Sequence, residues 1–493
     1  MVFQNNVLSG AAGSGTTTYA IDQSIRFDDA AEHYMYSPAP SSSKSFTTTA
    51  TISMWIKLGN IGQHYFAGAF YGSNARYDFF QINANNKLQA SGRSGGASTA
   101  TGSGVTKWIT TQVFRDPSAW YHLIFVYDTT NAVQSERFRL YVNGERVTEF
   151  DTAPSYGASE LVYWFGKSSY TTLGAYYNQT GFADYFYWDG YMAEMHGVDG
   201  TALDQDSFGE FNSSGIWTPK EYTGSHGTDG FYIKGADASD LGTNSAANGN
   251  DFTLNGLSSH DKMLDSPTNN FPTFNPIYAD VSGINSITLA NGNLQGTGTS
   301  GQFDHKTATF NLPQSGKWYF EYYLGGLYTG FGICIVGQEG SITGGYGFGA
   351  LSTSQGFGFQ NSIIYNSNSV TTNFGTGNLS AGTILNCAFD VDNDKVFLGL
   401  NNTYYAADAG SDGNPSTGAN PTVTTSFSLS TNDIILGFYL SSSSSSAYLN
   451  FGQEGTFAGN KTAGGNSDAS GIGNFLYSVP TGFKALCTKN LGS

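Results

Sequence analysis

The chain has 493 residues, enough for two or three domains that each bury a core. Charged residues make up 12% of it, aromatic residues 15%, and glycine fills 64 positions, which suits many short strands joined by turns and argues against long amphipathic helices. The net charge of −17 argues against a nucleic-acid partner and against an anionic membrane surface, and no apolar run is long enough for membrane insertion.

Residues 1–22 are polar, rich in glycine and without periodicity, which is typical of a tail or arm. Two alternatives stay open for this arm: it attaches the subunit to a larger assembly, or it packs along its own domain. It has neither a basic start nor an apolar centre, so we expect no secretory signal peptide.

Residues 23–214 show the two-residue alternation of β-strands. Residues 120–127 are apolar on both faces, which predicts a strand buried on both sides. The next strand, 138–142, runs into Asn143-Gly144, a pair that tolerates the positive φ values of a type I′ hairpin.

Further strands are expected at 51–58, 77–82 and 161–166. In the last strand of this region we expect Met192, Glu194 and His196 to share one face. Glu194 and His196 have the chemistry of catalytic groups, but we favour a structural role for them.

Residues 167–187 set several tyrosines among Gly, Ser and Asn, without strand alternation. Tyr offers a flat apolar face with a polar rim, so these side chains are candidates for stacking on sugars. Aromatic residues are also enriched at subunit contacts, and that alternative stays open. The candidates for either role are Tyr170, Tyr176, Tyr177 and Tyr185.

Residues 215–280 contain too many aromatic residues for a free linker, so we expect an ordered connector that packs on its neighbours. An oxygen-rich stretch within it could hold calcium, although its spacing is not that of an EF-hand and such turns form without an ion. The candidate calcium loop contains Asp237, Asp240, Asn244 and Asp251. Apart from calcium at this loop we expect no cofactor.

Residues 281–493 are expected to form a second sandwich. Strands at 317–324 and 331–336 alternate or are fully apolar, and the strands 385–391 and 395–401 flank a turn at Asp392-Asn393-Asp394. The three cysteines are widely spaced among apolar neighbours, which predicts buried reduced thiols. They are Cys334, Cys387 and Cys487.

Several motifs resemble known families. WYHL at 120–123 followed by LYVNG at 140–144 resembles laminin-G-like, concanavalin A-like sandwiches. SIRF at 24–27 before MWIK at 54–57, DGYMAE at 189–194, and PTGFKALCTKNL at 480–491 look like motifs of concanavalin A-like proteins in tailed-phage virions.

The second sandwich is similar to the SPRY domain in the order of its strands. The D-x-D-N hairpin of that family is matched by Asp390, Asp392 and Asn393, with Phe397 following. The SPRY resemblance implies a concanavalin-like fold and leaves the ligand open.

The chain lacks the motifs of common hydrolases. Glucanases of the concanavalin-like class need carboxylates spaced as E-x-D-x-x-E on one strand, and that spacing does not occur. No nucleophile elbow, zinc-binding helix motif or phosphate-binding loop occurs either. We therefore predict that the protein is not an enzyme.

Together these observations predict an all-β chain with two concanavalin A-like (jelly-roll) antiparallel β-sandwiches joined by an ordered irregular bridge. The resemblance implies a structural protein on a phage virion surface, assembled in the host cytoplasm. We expect it to act as a tail-fibre or head-fibre adhesin for host-surface glycans. The alternatives are a capsid decoration protein without a glycan ligand and, less favoured, a divergent glycan-degrading enzyme. Expected partners are capsid or tail proteins and copies of itself in a homotrimer or ring, with no nucleic acid and no membrane insertion.

Overall fold

The computed structural model describes residues 19–38, 46–71, 76–93, 105–165, 169–176, 187–247, 250–278, 287–299, 304–326, 329–337, 356–360, 363–366, 369–371, 379–407, 410, 412–440 and 445–491. The chain divides into two units, Met1–Asn269 and Asn270–Ser493. Within the described residues, no helix is long and apolar enough to cross a bilayer. Cys334, Cys387 and Cys487 are buried free thiols, as predicted.

The strands of the first unit are β1 (Ser24–Phe27), β2 (Tyr34–Tyr36), β3 (Thr49–Leu58), β4 (His64–Tyr71), β5 (Arg76–Ile82), β6 (Lys87–Arg93), β7 (Val105–Val113), β8 (Trp120–Asp128), β9 (Phe138–Val142), β10 (Glu145–Arg146), β11 (Phe150–Thr152), β12 (Ser169–Leu173), β13 (Gly190–Asp199), β14 (Gly209–Phe211), β15 (Trp217–Pro219), β16 (Phe231–Ile233), β17 (Thr253–Asn255) and β18 (Lys262–Met263). Short 3-10 turns lie at Gln134–Glu136, Gln205–Ser207 and Ser259–Asp261.

Two antiparallel sheets form the first unit. Sheet I has the order β10-β9-β8-β3-β13-β1-β18, with β16 added beside β13. Sheet II has the order β11-β7-β6-β5-β4-β12-β2-β17, and β14 pairs with β15 separately. One apolar core joins the two sheets: Phe80 of sheet II stacks on Phe125 of sheet I, with ring centroids 3.8 Å apart. The unit is therefore a β-sandwich.

β8 confirms the prediction of a strand buried on both sides. Phe125 points into the core between the sheets, whereas Ile124 and Val126 belong to a separate apolar cluster on the outer face of sheet I. The predicted turn is also present, because Asn143 and Gly144 adopt φ values of 50° and 79° between β9 and β10.

Two local predictions were wrong. Residues 161–165 form no strand and instead make a single bridge and a turn. Trp164 and Phe165 are both buried in the core, and adjacent residues of a regular strand could not both point there. In β13 the pairing with β3 shifts between Ala193 and His196, so Met192 and Met195 both enter the core. Met192 therefore does not share a face with Glu194 and His196.

The predicted connector, 215–280, spans the division between the units at residue 269. Its first part belongs to the first unit, because β16 pairs with β13, β17 with β2 and β18 with β1. β16 and β18 thereby extend sheet I and β17 extends sheet II, while Phe208 and Tyr222 pack on the outer face of sheet I.

The strands of the second unit are β19 (Ile287–Ala290), β20 (Gln295–Gly298), β21 (Asp304–Thr307), β22 (Lys317–Leu324), β23 (Thr329–Ile335), β24 (Gly356–Gln360), β25 (Ile363–Asn366), β26 (Ser369–Thr371), β27 (Thr383–Asp390), β28 (Lys395–Leu400), β29 (Thr403–Tyr404), β30 (Val423–Thr424), β31 (Ile434–Leu440), β32 (Ser446–Asn450) and β33 (Lys484–Ala485). A 3-10 turn lies at Val391–Asn393, and a short helix, α1, at Thr488–Leu491.

The second unit is also a sandwich. Sheet III has the order β19-β20-β32-β22-β27-β28-β29, with β30 beside β28 and β33 running parallel to β22. Sheet IV has the order β21-β31-β23-β24-β25-β26. The ring centroid of Phe320 in sheet III lies 5.3 Å from that of Phe331 and 6.3 Å from that of Phe438, both in sheet IV. The expected hairpin is formed by β27 and β28, with Asp394 in the left-handed conformation.

Candidate functional site

His122 lies at the centre of a hydrogen-bonded cluster on the outer face of sheet I. Trp217 Nε1 donates to His122 Nδ1 over 2.9 Å, and His122 Nε2 lies 2.8 Å from Ser53 Oγ. An indole N–H can only donate, so the proton of the neutral imidazole sits on Nε2 and is donated to Ser53. Burial, followed by the nearby charge of His196, lowers the pKa of His122 well below its usual value.

This tautomer decides the chemistry of the Ser53–His122 pair. A nucleophilic serine needs a neighbouring base that accepts its proton. His122 is the donor in this contact, and its ring is also stacked on Trp55 with centroids 4.3 Å apart and planes 2° apart. Ser53 is therefore not activated, and His122 ties three segments of the unit together.

Glu194 occupies the bulge of β13 with a left-handed φ of 48°. Its Oε2 accepts hydrogen bonds from the hydroxyls of Tyr232 (2.6 Å) and Tyr19 (2.9 Å), and lies 3.4 Å from His196 Nε2. Burial opposes ionisation of this carboxyl, but the hydrogen bonds from His196 and the two tyrosines outweigh it, so the pKa of Glu194 lies below its usual value. Among the described residues that line the adjoining hollow, Glu194 has no second carboxylate beside it. A glycosidase needs two.

A different surface lies on the outer face of sheet II. In β4 and β5, Phe66 and Phe80 point into the core, whereas Tyr65 and Phe79, each one position earlier, belong to a separate aromatic cluster. We define the tyrosine–amide face as Gln63, Tyr65, Phe79, Gln81 and Tyr176.

The rings of the tyrosine–amide face form one cluster. Phe79 lies 4.5 Å from Tyr176 and 5.0 Å from Tyr65, and Tyr65 lies 5.4 Å from Tyr176. The Gln63 amide donates to the Tyr65 hydroxyl over 3.1 Å and to Gln81 Oε1 over 3.0 Å. Tyr65 and Tyr176 are half-buried, so part of each side chain reaches the surface. Phe79 and Gln81 are buried, so the groups that reach the surface are parts of the Tyr65 and Tyr176 side chains and the half-buried Gln63 amide. None of the five side chains carries a formal charge.

The structure brings two of the four predicted tyrosines to this cluster. Tyr176 is part of the face, and Tyr170 of β12 packs beside it in the same apolar group. Tyr177 and Tyr185 lie outside the described residues. Sequence reasoning missed Tyr65, Phe79 and Gln81; the available signal was aromatic and amide residues, instead of charged ones, at the outward positions of half-buried strands.

The candidate calcium loop is a series of turns. Asp237 Oδ1 accepts from the backbone and hydroxyl of Ser239, and Asp240 Oδ1 from the backbone of Gly242. Asp251 Oδ1 accepts from the backbone of Asn244 over 2.8 Å. Within the described part of the chain, no three His, Cys, Asp or Glu side chains form a group that could hold a metal ion. Calcium binding stays a prediction.

Residues 29–206 match a family model described as the Concanavalin A-like lectin/glucanases superfamily. No curated protein matches the chain. Solved structures with similarity include the native heptameric SAP-like pentraxin from Limulus polyphemus, at 14% identity over 37% of this chain and 78% of that one, with a TM-score of 0.27. The TRIM65 PSpry domain is 13% identical over 36% of this chain and 88% of its own, with a TM-score of 0.25. The SPRY domain of human HERC1 is 16% identical over 36% of this chain and 96% of its own, with a TM-score of 0.24. The family match and the paired sheets together identify residues 29–206 as a concanavalin A-like domain within an all-β chain.

Proposed function

We propose that this protein is a structural component of a tailed-phage virion surface and attaches to host-surface glycans through the tyrosine–amide face. The observation that carries the proposal is the arrangement of Tyr65, Phe79 and Tyr176 beside the amides of Gln63 and Gln81. A sugar presents an apolar ring face and a rim of hydroxyl groups. Half-buried tyrosines can stack on the ring face, and the half-buried Gln63 amide can donate to and accept from the hydroxyl groups. The buried Gln81 accepts from Gln63 and so orients that amide.

The proposal is of binding without catalysis. Two features of sheet I support it: the tautomer of His122, which leaves Ser53 unactivated, and the lack of a second carboxylate beside Glu194 among the residues of that hollow. A shallow site of this kind binds weakly on its own. Many copies on one particle would supply the avidity that a single site lacks.

Capsid decoration is the second candidate. The rings of Tyr65 and Tyr176 are already half-buried in a cluster, and aromatic residues of this kind are enriched where subunits meet. In that case the same face would contact a sibling copy or a capsid protein, and no glycan would be bound.

Binding of the 493-residue chain, displayed on multivalent beads, to an array of bacterial surface glycans tests the proposal. We expect binding that Tyr65→Ala and Tyr176→Ala each weaken at least threefold, while Phe211→Ala, which removes an exposed ring on the hairpin of β14 and β15, leaves it unchanged. Sedimentation velocity separates the candidates. If no sugar binds and Tyr176→Ala dissociates an oligomer, the decoration role replaces the glycan role.

A further inference from the structure

A strained turn follows β32 in the second unit. Phe457 and Ala458 both have a φ of 53°, and Gly459 follows with a φ of 84°. Left-handed φ values are costly for residues that carry a Cβ, and two in succession require strong support. Glu454 provides it, because its carboxylate accepts the backbone N–H groups of Thr456 (2.6 Å) and Ala458 (2.8 Å).

The turn brings two side chains to the outer face of sheet III. Phe457 packs 5.7 Å from the ring of Tyr323, and the Lys461 ammonium lies 5.7 Å from the centre of the same ring. Tyr448 stands directly opposite Tyr323 in the ladder of β22 and β32, with its ring 5.3 Å away and nearly perpendicular. Tyr323, Tyr448 and Lys461 are all half-buried, so each is partly exposed to solvent.

Lys461 differs from other lysines of this unit. Lys317 pairs with Asp390, Lys395 donates to the carbonyl of Gly418, and Lys306 donates to that of Tyr278. Among the described residues, no carboxylate lies within ion-pair distance of the Lys461 ammonium, and its close partner is the Tyr323 ring. The nearby Glu454 carboxylate is buried and occupied by backbone amides. A cation on an aromatic ring keeps part of its charge free for a second, anionic partner.

We propose that Lys461, Tyr323 and Tyr448 form a site for an acidic saccharide, such as a uronic or sialic acid residue. The carboxylate of the sugar pairs with the Lys461 ammonium, and its pyranose ring packs on the exposed part of Tyr448. This lysine–tyrosine site is separate from the uncharged tyrosine–amide face and stands on its own observations.

The position of the two tyrosines favours a sugar over an acidic peptide. β22 is paired on both sides, with β27 and β32, and β32 is paired with β20 and β22. Neither strand has a free edge where an extended peptide could add backbone hydrogen bonds. The exposed parts of these side chains present ring surface and one positive charge to a ligand.

Saturation-transfer NMR and titration with the full chain test this site, using trigalacturonic acid and 3′-sialyllactose as probes and lactose as the uncharged counterpart. We expect the acidic probes to bind and lactose to bind at least tenfold more weakly. Lys461→Met keeps the aliphatic stem of the side chain and should weaken the acidic probes about tenfold, as expected when a hydrogen bond to a charged group is lost. Tyr448→Leu should also weaken them, and Lys395→Met is the matched control that should not.

Three results would overturn the assignment: neither acidic probe binds the wild-type protein, Lys461→Met binds them as tightly as wild type, or a polyglutamate peptide binds through Lys461 better than both sugars. The Tyr448→Leu variant keeps the test decisive if Lys461→Met does not fold. Binding at the tyrosine–amide face is measured separately through Tyr176→Ala, so failure of one site leaves the other unaffected.

Discussion

Replacing Gly144 with alanine tests how the hairpin of β9 and β10 is fixed. Gly144 has a φ of 79°, and a Cβ placed on it would lie 2.2 Å from Trp217 Cε3 and 2.5 Å from Cζ3. Carbon atoms do not approach so closely, so Trp217 would have to move by more than an ångström. That movement would break the 2.9 Å hydrogen bond from Trp217 to His122.

Two contributions add to the expected cost of Gly144→Ala. A left-handed φ costs a residue with a Cβ roughly 1–2 kcal/mol. Loss of the Trp217–His122 hydrogen bond leaves a buried donor and a buried acceptor unpaired, which costs about 1–3 kcal/mol. Together they predict a loss of roughly 2–5 kcal/mol in the free energy of unfolding of the first unit.

Gly200→Ala is the matched control, because Gly200 has a φ of 81° and nothing lies within 4 Å of the added Cβ. Gly200→Ala therefore loses only the free energy that a left-handed φ costs a residue with a Cβ. Six of the seven tryptophans belong to the first unit, so urea unfolding followed by tryptophan fluorescence reports on it. We expect Gly144→Ala to be about 1–3 kcal/mol less stable than Gly200→Ala. Equal losses in the free energy of unfolding for the two variants would refute the argument that a Cβ at position 144 displaces Trp217.

Three further predictions concern buried ionisable groups. Burial and the charge of His196 lower the pKa of His226 to about 4. Between pH 6.5 and 4 the unfolded state therefore binds a proton that the folded state does not, so the first unit should lose stability as pH falls through this range. His226→Gln should reduce this pH dependence, measured as the urea midpoint at each pH. Burial raises the pKa of Glu321 to about 7, so its effect on stability has the opposite pH dependence. The stability that it contributes to the second unit is complete below about pH 4.5 and is lost as pH rises through 7. Glu321→Gln should remove this pH dependence from the unfolding of the second unit. Asp265→Ala should cost about 3–5 kcal/mol in urea unfolding, because it removes the carboxylate 2.6 Å from the fully buried Lys57 ammonium, and a variant as stable as wild type would contradict this.

The strands that alternate or are apolar throughout could be predicted from the sequence. The residues of β3 and β22 alternate with a period of two, and those of β8 are apolar on both faces. The pairs Asn143-Gly144 and Asn393-Asp394 mark hairpins whose left-handed residues the structure contains. These features are local, so neighbouring residues suffice to specify them.

Features that depend on distant contacts could not be predicted. The bulge at Glu194 forms where its carboxylate meets Tyr19 and Tyr232, which lie 175 and 38 positions away. Within the predicted connector, β17 and β18 are as short as three and two residues, and what defines them is their pairing with β2 and β1. The tyrosine–amide face likewise joins two strands and a turn, and no single segment of sequence displays it.

In both sandwiches the chain that follows one strand folds over the outer face of a sheet, and this limits where a ligand could bind. In the first unit the chain after β13 covers sheet I, where Trp217 bonds to His122 and Asp265 bonds to Trp120 Nε1 over 3.0 Å. In the second, the chain after β32 covers sheet III, where the backbone N–H groups of residues 476 and 477 donate to Glu321 over 2.9 and 2.8 Å. Polar side chains that a bare sheet would offer to a ligand are thus already bonded to the covering chain. Partly exposed rings lie on the outer face of sheet II and beside the covering chain on sheet III, and these are the two places where we propose binding.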